Sequence, residues 1–246
     1  KMENYGIRGI IHSWFKNYLT DRVQFTAIDN FHSELRKISY GVPQGSVLGP
    51  LLFLIYINDI HRAVQGQHIS LFADDTNLFI HGLTFSELSQ KVNNNLDALY
   101  DWFISNRLSI SIDKTGFTIF PETNGSNINI KIGNSNLKMV NSCKYLGLVI
   151  DDKLRWDDHI KYIYKKLIKF VSIFYKLRNK LNQTGLKNVY FAFVHPHLLY
   201  GVELYGTANS TSLDKLVKLN NKILRILQFK DKKSHVSELY INFNTL

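Results

Sequence analysis

A chain of 246 residues, 45% hydrophobic and 13% aromatic, can bury one large core or two small ones and lacks the composition of a disordered segment. Its 30 Lys and Arg against 20 Asp and Glu leave a formal charge of +10, which points to a polyanionic partner such as nucleic acid. The single cysteine, Cys143, excludes an internal disulfide and a cysteine-rich zinc module, and the apolar run from Val47 to Ile57, broken by Gly49 and Pro50, is too short to span a bilayer, so no membrane partner is expected.

Ile7, Ile10, Ile11, Trp14, Phe15, Tyr18 and Leu19 recur at helical spacing and predict an amphipathic helix entered through Gly6 and ended by Thr20-Asp21. Arg22 to Ile28 alternates with period two and can pair with Leu35 to Ser39 across a polar turn at 29–33, which sets Arg22 and Gln24 on one face. Next, Gly41-Val42-Pro43-Gln44-Gly45-Ser46 forms a glycine-rich loop whose backbone can approach a ligand closely. Pro50 suits the first turn of the helix that follows, which is apolar nearly all round to Ile60 and is expected to be buried. Gln44, a polar donor and acceptor held between Pro43 and Gly45, is the residue in this loop that a structural turn does not explain.

Asp74 and Asp75 stand between two apolar runs, Ile69 to Ala73 and Leu78 to Ile80, and are expected at the tip of a β-hairpin. Adjacent carboxylates on a buried scaffold must bind a metal, share a proton or meet a cation, because isolated desolvated charge is costly. Nothing basic lies within several residues, and all-oxygen ligands fit Mg²⁺ better than Zn²⁺. An exposed Asp-Asp turn is the alternative.

Thr84 and Glu87 form a capping box that opens a long helix through Leu88, Val92, Leu96, Leu99 and Phe103 to Asn106. Leu108 to Phe120 alternates as a strand carrying Lys114, Asn127 to Val140 is a hairpin closed by Gly133 to Asn136, and Lys144 to Asp151 is one further strand. The expected class is α+β, an antiparallel sheet with helices on one face. From Asp157, an expected N-cap, the chain becomes all-helical. Ile160, Ile163, Leu167, Phe170, Val171 and Phe174 make an apolar stripe, with Lys161, Lys165, Lys169, Lys176 and Lys180 on the opposite face. Between Lys161 and Val202 there are eight Lys or Arg and no acid, so this face is a candidate for phosphate contacts, a solvated face being the alternative. Helices at 186–205 and 213–229 would complete a small bundle, in which His159, His195 and His197 read as structural.

Gly41 to Ile60 followed by Phe72-Ala73-Asp74-Asp75 resembles the consecutive palm motifs of a reverse transcriptase, and the likeness covers essentially the whole chain. Tyr18 to Gln24, Asn106-Arg107-Leu108-Ser109 with Lys114-Thr115, and Tyr145 to Asp151 with Leu154, Trp156 and His159 resemble more narrowly the enzymes of non-LTR (LINE-type) retrotransposons. The resemblance implies a polymerase-type palm at 1–155 and a helical thumb at 156–246. It also implies an RNA-directed DNA polymerase acting on an RNA template, a DNA primer and deoxynucleoside triphosphates with Mg²⁺ or Mn²⁺. By position, Asp74 and Asp75 match the metal-binding catalytic acids, and Lys114 matches the lysine that protonates pyrophosphate. Pro43, Gln44, Gly45 and Ser46 match the nucleotide and template loop. Phe72, Ala73, Leu146 and Gly147 fall at the primer, and Arg22 with Lys161, Lys165, Lys169, Lys176 and Lys180 at the nucleic-acid backbone. The family has a third metal-binding aspartate on a strand ahead of Tyr5-Gly6-Ile7, which Glu3, Asp21, Asp29 and Glu34 do not replace. The isolated chain is therefore expected to be inactive. The alternatives are a truncated copy that only binds nucleic acid and a metal-dependent nuclease or phosphatase using the same two acids. An intracellular location is expected, nuclear if the chain serves an active retroelement.

Overall fold

The computed structural model describes residues 1–64, 66–120 and 128–245. Helices and short strands combine in an α+β fold that divides into two units, Lys1–Ile110 with Ile128–Asn136, and Ser111–Asn127 with Leu137–Leu246. The α+β content is as expected, but the described strands form six separate two-stranded ladders, one of them parallel, in place of one antiparallel sheet. Most strands are two residues long, too short to recruit a third partner.

In the first unit, α1 (Gly9–Leu19) follows the apolar spacing of its sequence, yet none of its residues is buried and Ile10 is 89% exposed. β1 (Val23–Gln24) pairs antiparallel with β4 (Arg36–Lys37), and β2 (Ala27–Ile28) with β3 (Phe31–His32), so the expected hairpin forms with its turn narrowed to Asp29-Asn30. α2 (Leu48–Ile57) continues into 3-10 turns over Asn58–Ala63. It is not buried all round as expected: Leu52 and Ile57 are buried, whereas Leu51 and Leu54 are half exposed. β5 (His68–Phe72) and β6 (Asp75–Phe79) pair over five residues. α3 (Phe85–Ser105) starts at the Thr84 cap, whose Oγ1 accepts the Glu87 N–H at 3.2 Å while the Glu87 carboxylate accepts the Leu83 N–H at 2.9 Å. Its Leu99 joins Ile57, Ile60 and Val64 in a small core, against which Phe53 of α2 and Ile69, Leu71 and Leu78 of the hairpin pack.

Of the hairpin expected at Asn127 to Val140, only β8 (Lys131–Ile132) and β9 (Ser135–Asn136) form among the described residues, with the turn narrowed to Gly133-Asn134 and Lys138–Met139 paired elsewhere; Asn127 itself lies outside the described residues. Gly133 turns it at φ 54, and a Cβ there would meet the Tyr100 ring at 2.7 Å, so both space and backbone require glycine.

In the second unit the strand expected at 108–120 is reduced to β7 (Gly116–Phe117), parallel to β10 (Lys138–Met139); Ile112–Lys114 coils into a 3-10 turn. The single strand expected from Lys144 to Asp151 is instead a hairpin, β11 (Ser142–Tyr145) and β12 (Leu148–Asp151), reversed at Leu146 (φ 45) and Gly147 (φ 86). Two left-handed residues in a two-residue loop match the twist of the strands they join. α4 (Asp157–Leu177) follows, entered through Trp156 at φ 65 and not capped by Asp157 as expected. The helix expected at 186–205 divides into α5 (Gln183–Phe193), α6 (His195–Leu199) and α7 (Val202–Tyr205), because Pro196 cannot donate to the preceding turn and Gly201 is left-handed at φ 72. α8 (Ser210–Leu227) and α9 (Ser237–Phe243) complete the bundle. Its core is aliphatic and aromatic: Leu167 and Phe174 of α4, Leu186 of α5, and Ile223 and Leu224 of α8 are fully buried. Tyr190 donates to Asn220 Oδ1 at 3.0 Å, and burial pushes its hydroxyl up to about 12 even though that bond pulls it down.

Candidate active site

The paired aspartates close the most regular hairpin of the first unit. Phe72 faces Asp75 across the last rung, so Ala73 and Asp74 alone form the loop. Ala73 sits at φ 50, where a two-residue turn usually places glycine and a Cβ costs about 1–2 kcal/mol. Five rungs of ladder hold it there, and such strain concentrates at sites that must keep one geometry. Phe72, Ala73, Asp74 and Asp75 are all exposed, so the desolvated pair expected from sequence is replaced by a solvent-facing one on a half-buried hairpin. Carboxylate oxygens are hard donors, and the two carboxylates present fit Mg²⁺ or Mn²⁺ with water completing the shell. Among the described residues no group of three or more His, Cys, Asp or Glu could hold a metal ion.

The glycine loop is fastened to α2 and to α1. Ser46 Oγ accepts the Gly49 N–H at 3.1 Å, and a Cβ on Gly49 would come 3.0 Å from that oxygen and 3.3 Å from Val42 Cγ2. Arg22 Nε donates to the Leu19 carbonyl at 3.2 Å and its Nη2 to the Gly41 carbonyl, so the guanidinium ties the end of α1 to the start of the loop. Arg22, expected at the nucleic-acid backbone, thus gives Nε and Nη2 to the protein's own carbonyls, while its Nη1 is buried without a hydrogen-bond partner. Pro43, Gln44 and Gly45 are exposed. The loop through α2 and the Asp74-Asp75 hairpin through Ile69, Leu71 and Leu78 share one core.

The remaining candidates belong to the second unit. Lys114 is exposed on its 3-10 turn. Leu146 and Gly147 form the β11–β12 turn, and Tyr200 secures it: its hydroxyl donates to the Leu146 carbonyl, and its ring would lie 3.1 Å from a Cβ on Gly147. Sequence reasoning missed this support, since 54 residues separate the two and no periodicity links them. Lys161, Lys165, Lys169 and Lys176 are exposed along α4 and Lys180 is exposed in the turn beyond its end, but Lys161 is paired with Asp158 at 2.9 Å, whose hydrogen bond raises its pKa. Lys166 was also missed. Its ammonium lies 4.6 Å from the Tyr162 ring centre and that of Lys144 lies 5.7 Å away, and hydrogen bonding to Lys166 is the main cause holding the Tyr162 hydroxyl below its usual value. His159 is buried, as a structural histidine should be, with Nδ1 accepting the Val149 N–H at 3.2 Å; burial, then Lys166, keep it below the usual imidazole value.

The structure thus presents two exposed carboxylates on a hairpin that shares one core with the glycine loop, and comparison with known proteins gives the family of the chain. The description "Reverse transcriptase (RNA-dependent DNA polymerase)" matches residues 1–150, and the chain belongs to that family. It is 29% identical over 220 residues to the RNA-directed DNA polymerase from mobile element jockey of Drosophila melanogaster and 30% identical over 220 to that of Drosophila funebris. In each case 85% of this chain and 24% of the relative are covered, so the chain spans about a quarter of the length of these curated relatives. The probable RNA-directed DNA polymerase from transposon X-element of Drosophila melanogaster is 26% identical over 222 residues, 86% of this chain and 24% of that protein. The chain is thus a reverse transcriptase domain homologous to those of non-LTR retrotransposons. No solved structure matches it. Among the described residues no helix is long and apolar enough to cross a membrane.

Proposed function

We propose that the intact protein is an RNA-directed DNA polymerase, to which this chain supplies palm residues 1–155 and a helical thumb, 156–246. The observation that carries the proposal is the shared core under the Asp74-Asp75 hairpin and the 41–46 loop, inside the stretch that matches the reverse transcriptase family. Bound divalent ions would activate the primer 3′-hydroxyl and neutralise charge on the leaving pyrophosphate. The carboxylates of Asp74 and Asp75 would hold them. Phe72 and the strained Ala73 seat the primer end, and Leu146-Gly147, secured by Tyr200, also contacts the primer. Pro43, Gln44, Gly45 and Ser46 receive the nucleotide and its template base, the Gln44 amide being able to donate and to accept. Arg22 supports that loop, Lys114 supplies the proton to pyrophosphate, and Lys165, Lys169, Lys176 and Lys180, with Lys161 weakened by its ion pair, meet backbone phosphates.

The 246-residue chain by itself binds nucleic acid without extending a primer. The observation favouring this second reading is that, among the described residues, the pair Asp74-Asp75 is not joined by a third ligand. Mn²⁺ titration followed by paramagnetic broadening tests the metal assignment: weak binding that broadens resonances around Asp74 and Asp75 is expected, reduced in Asp74→Asn and in Asp75→Asn. Equal broadening in both variants would refute it.

A further inference from the structure

A second polar site lies in the helical unit, built from none of the residues assigned above. Where α4 and α8 end, a cavity of about 340 Å³ is lined by Tyr175, Arg178, Lys222, Arg225, Ile226, Lys230 and Lys232. Five of the seven are cations. Among the described residues no acid lines the cavity and none of the five is in an ion pair. Cations at a helix C-terminus favour the helix dipole, which accounts for Arg225 in the last turn of α8. It does not account for Lys230 and Lys232, which lie beyond the helix, or for the way Arg178 is held.

The Arg178 guanidinium is 5.1 Å from the Tyr175 ring centre and 5.5 Å from that of Phe229, and its Nε is buried without a hydrogen-bond partner. Phe229 reaches it from the residue that closes α8, at φ 55, where glycine is usual and a bulky side chain is an outlier. Lys230 N–H bonds back to the Arg225 carbonyl at 2.9 Å, which locks that closure. Phe229 remains 55% exposed and Tyr175 40% exposed. Like-charged groups gathered in one pocket, a planar fork near two rings with an unsatisfied donor, and the exposure of both aromatics are together the means of binding phosphates with stacked bases.

We propose that this cavity binds a phosphate of single-stranded nucleic acid, with Arg178 as its fork and Phe229 and Tyr175 as stacking surfaces for the neighbouring bases. The assignment does not depend on the polymerase reading of Asp74 and Asp75.

The test uses the whole 246-residue protein and a uridine homopolymer about 12 nucleotides long, within the usual site size of such surfaces. Affinity measured against salt should lose about 0.7 of slope for each lysine removed in Lys222→Gln/Lys232→Gln, both exposed and harmless to the fold. Lys161→Gln, already ion-paired, should change the slope less. Arg178→Lys keeps the charge and loses the fork, so it should weaken the oligomer several-fold at every salt concentration. Both the oligomer and inorganic phosphate alone should shift the Arg178 Nε–H resonance. An unchanged slope in the double variant overturns the proposal, as does a resonance that moves with phosphate but not with the oligomer, which would mark a pocket for free anions. Equal losses on a duplex of the same length overturn the single-stranded assignment.

Discussion

Asp151 shows how one side chain can organise a junction. Its carboxylate accepts the backbone N–H groups of Lys153, Arg155 and Trp156 at 3.1, 3.0 and 2.8 Å, and so closes β12 onto the start of α4. Burial is the largest single influence and pushes the carboxyl up, but these backbone N–H donors, together with that of Asp151 itself, outweigh it and hold it below the usual carboxylate range. Its contribution to stability is therefore complete above about pH 4 and fades as pH falls through the lower folded value. Asp151→Asn should cost about 1–3 kcal/mol in urea unfolding at neutral pH and should remove that part of the acid dependence. Arg22 makes a parallel case. Arg22→Gln frees the Leu19 and Gly41 carbonyls and should cost about 1–3 kcal/mol. An unchanged unfolding midpoint would show that the guanidinium does not hold the loop.

At the scale of elements, the β11–β12 turn stores strain in Leu146. Leu146→Asn, which tolerates the left-handed conformation, should raise stability by about 1 kcal/mol, as read from thermal unfolding, while loosening the seat proposed for the primer. A loss of stability would mean that Leu146 packing outweighs its backbone. On α4, Lys165→Gln/Lys169→Gln should flatten the salt dependence of duplex binding by about 0.9 for each phosphate no longer neutralised. No change would make the lysine face a merely solvated one. The long helices were legible in the sequence for a physical reason: α3 combines a capping box with apolar residues every three or four positions, and the buried stripe of α4 is the stripe its spacing predicts. The β11–β12 hairpin was not, because its turn begins with Leu146, which no turn rule selects, and its lock, Tyr200, comes from another element. Likewise the interruptions at Pro196 and Gly201 were hidden by apolar spacing that continues through them.

For the molecule as a whole, the order of the motifs made the family and the hairpin position of the paired acids readable from residue order alone. What that order could not convey was setting: that Asp74 and Asp75 are exposed, that Ala73 beside them is strained, and that Arg22 joins the end of α1 to the start of the glycine loop. These depend on how distant segments close on one another. The central claim is that Asp74 and Asp75 carry metal-dependent nucleotidyl transfer. The most direct measurement is primer extension on an RNA template in Mg²⁺ by this chain fused behind the corresponding upstream segment of the jockey polymerase, with and without Asp74→Asn. The account predicts templated DNA synthesis by the fusion, a fall of at least about 10³-fold in its Asp74→Asn form, and none by the 246-residue chain alone. Extension by the Asp74→Asn fusion at the parent rate would contradict it.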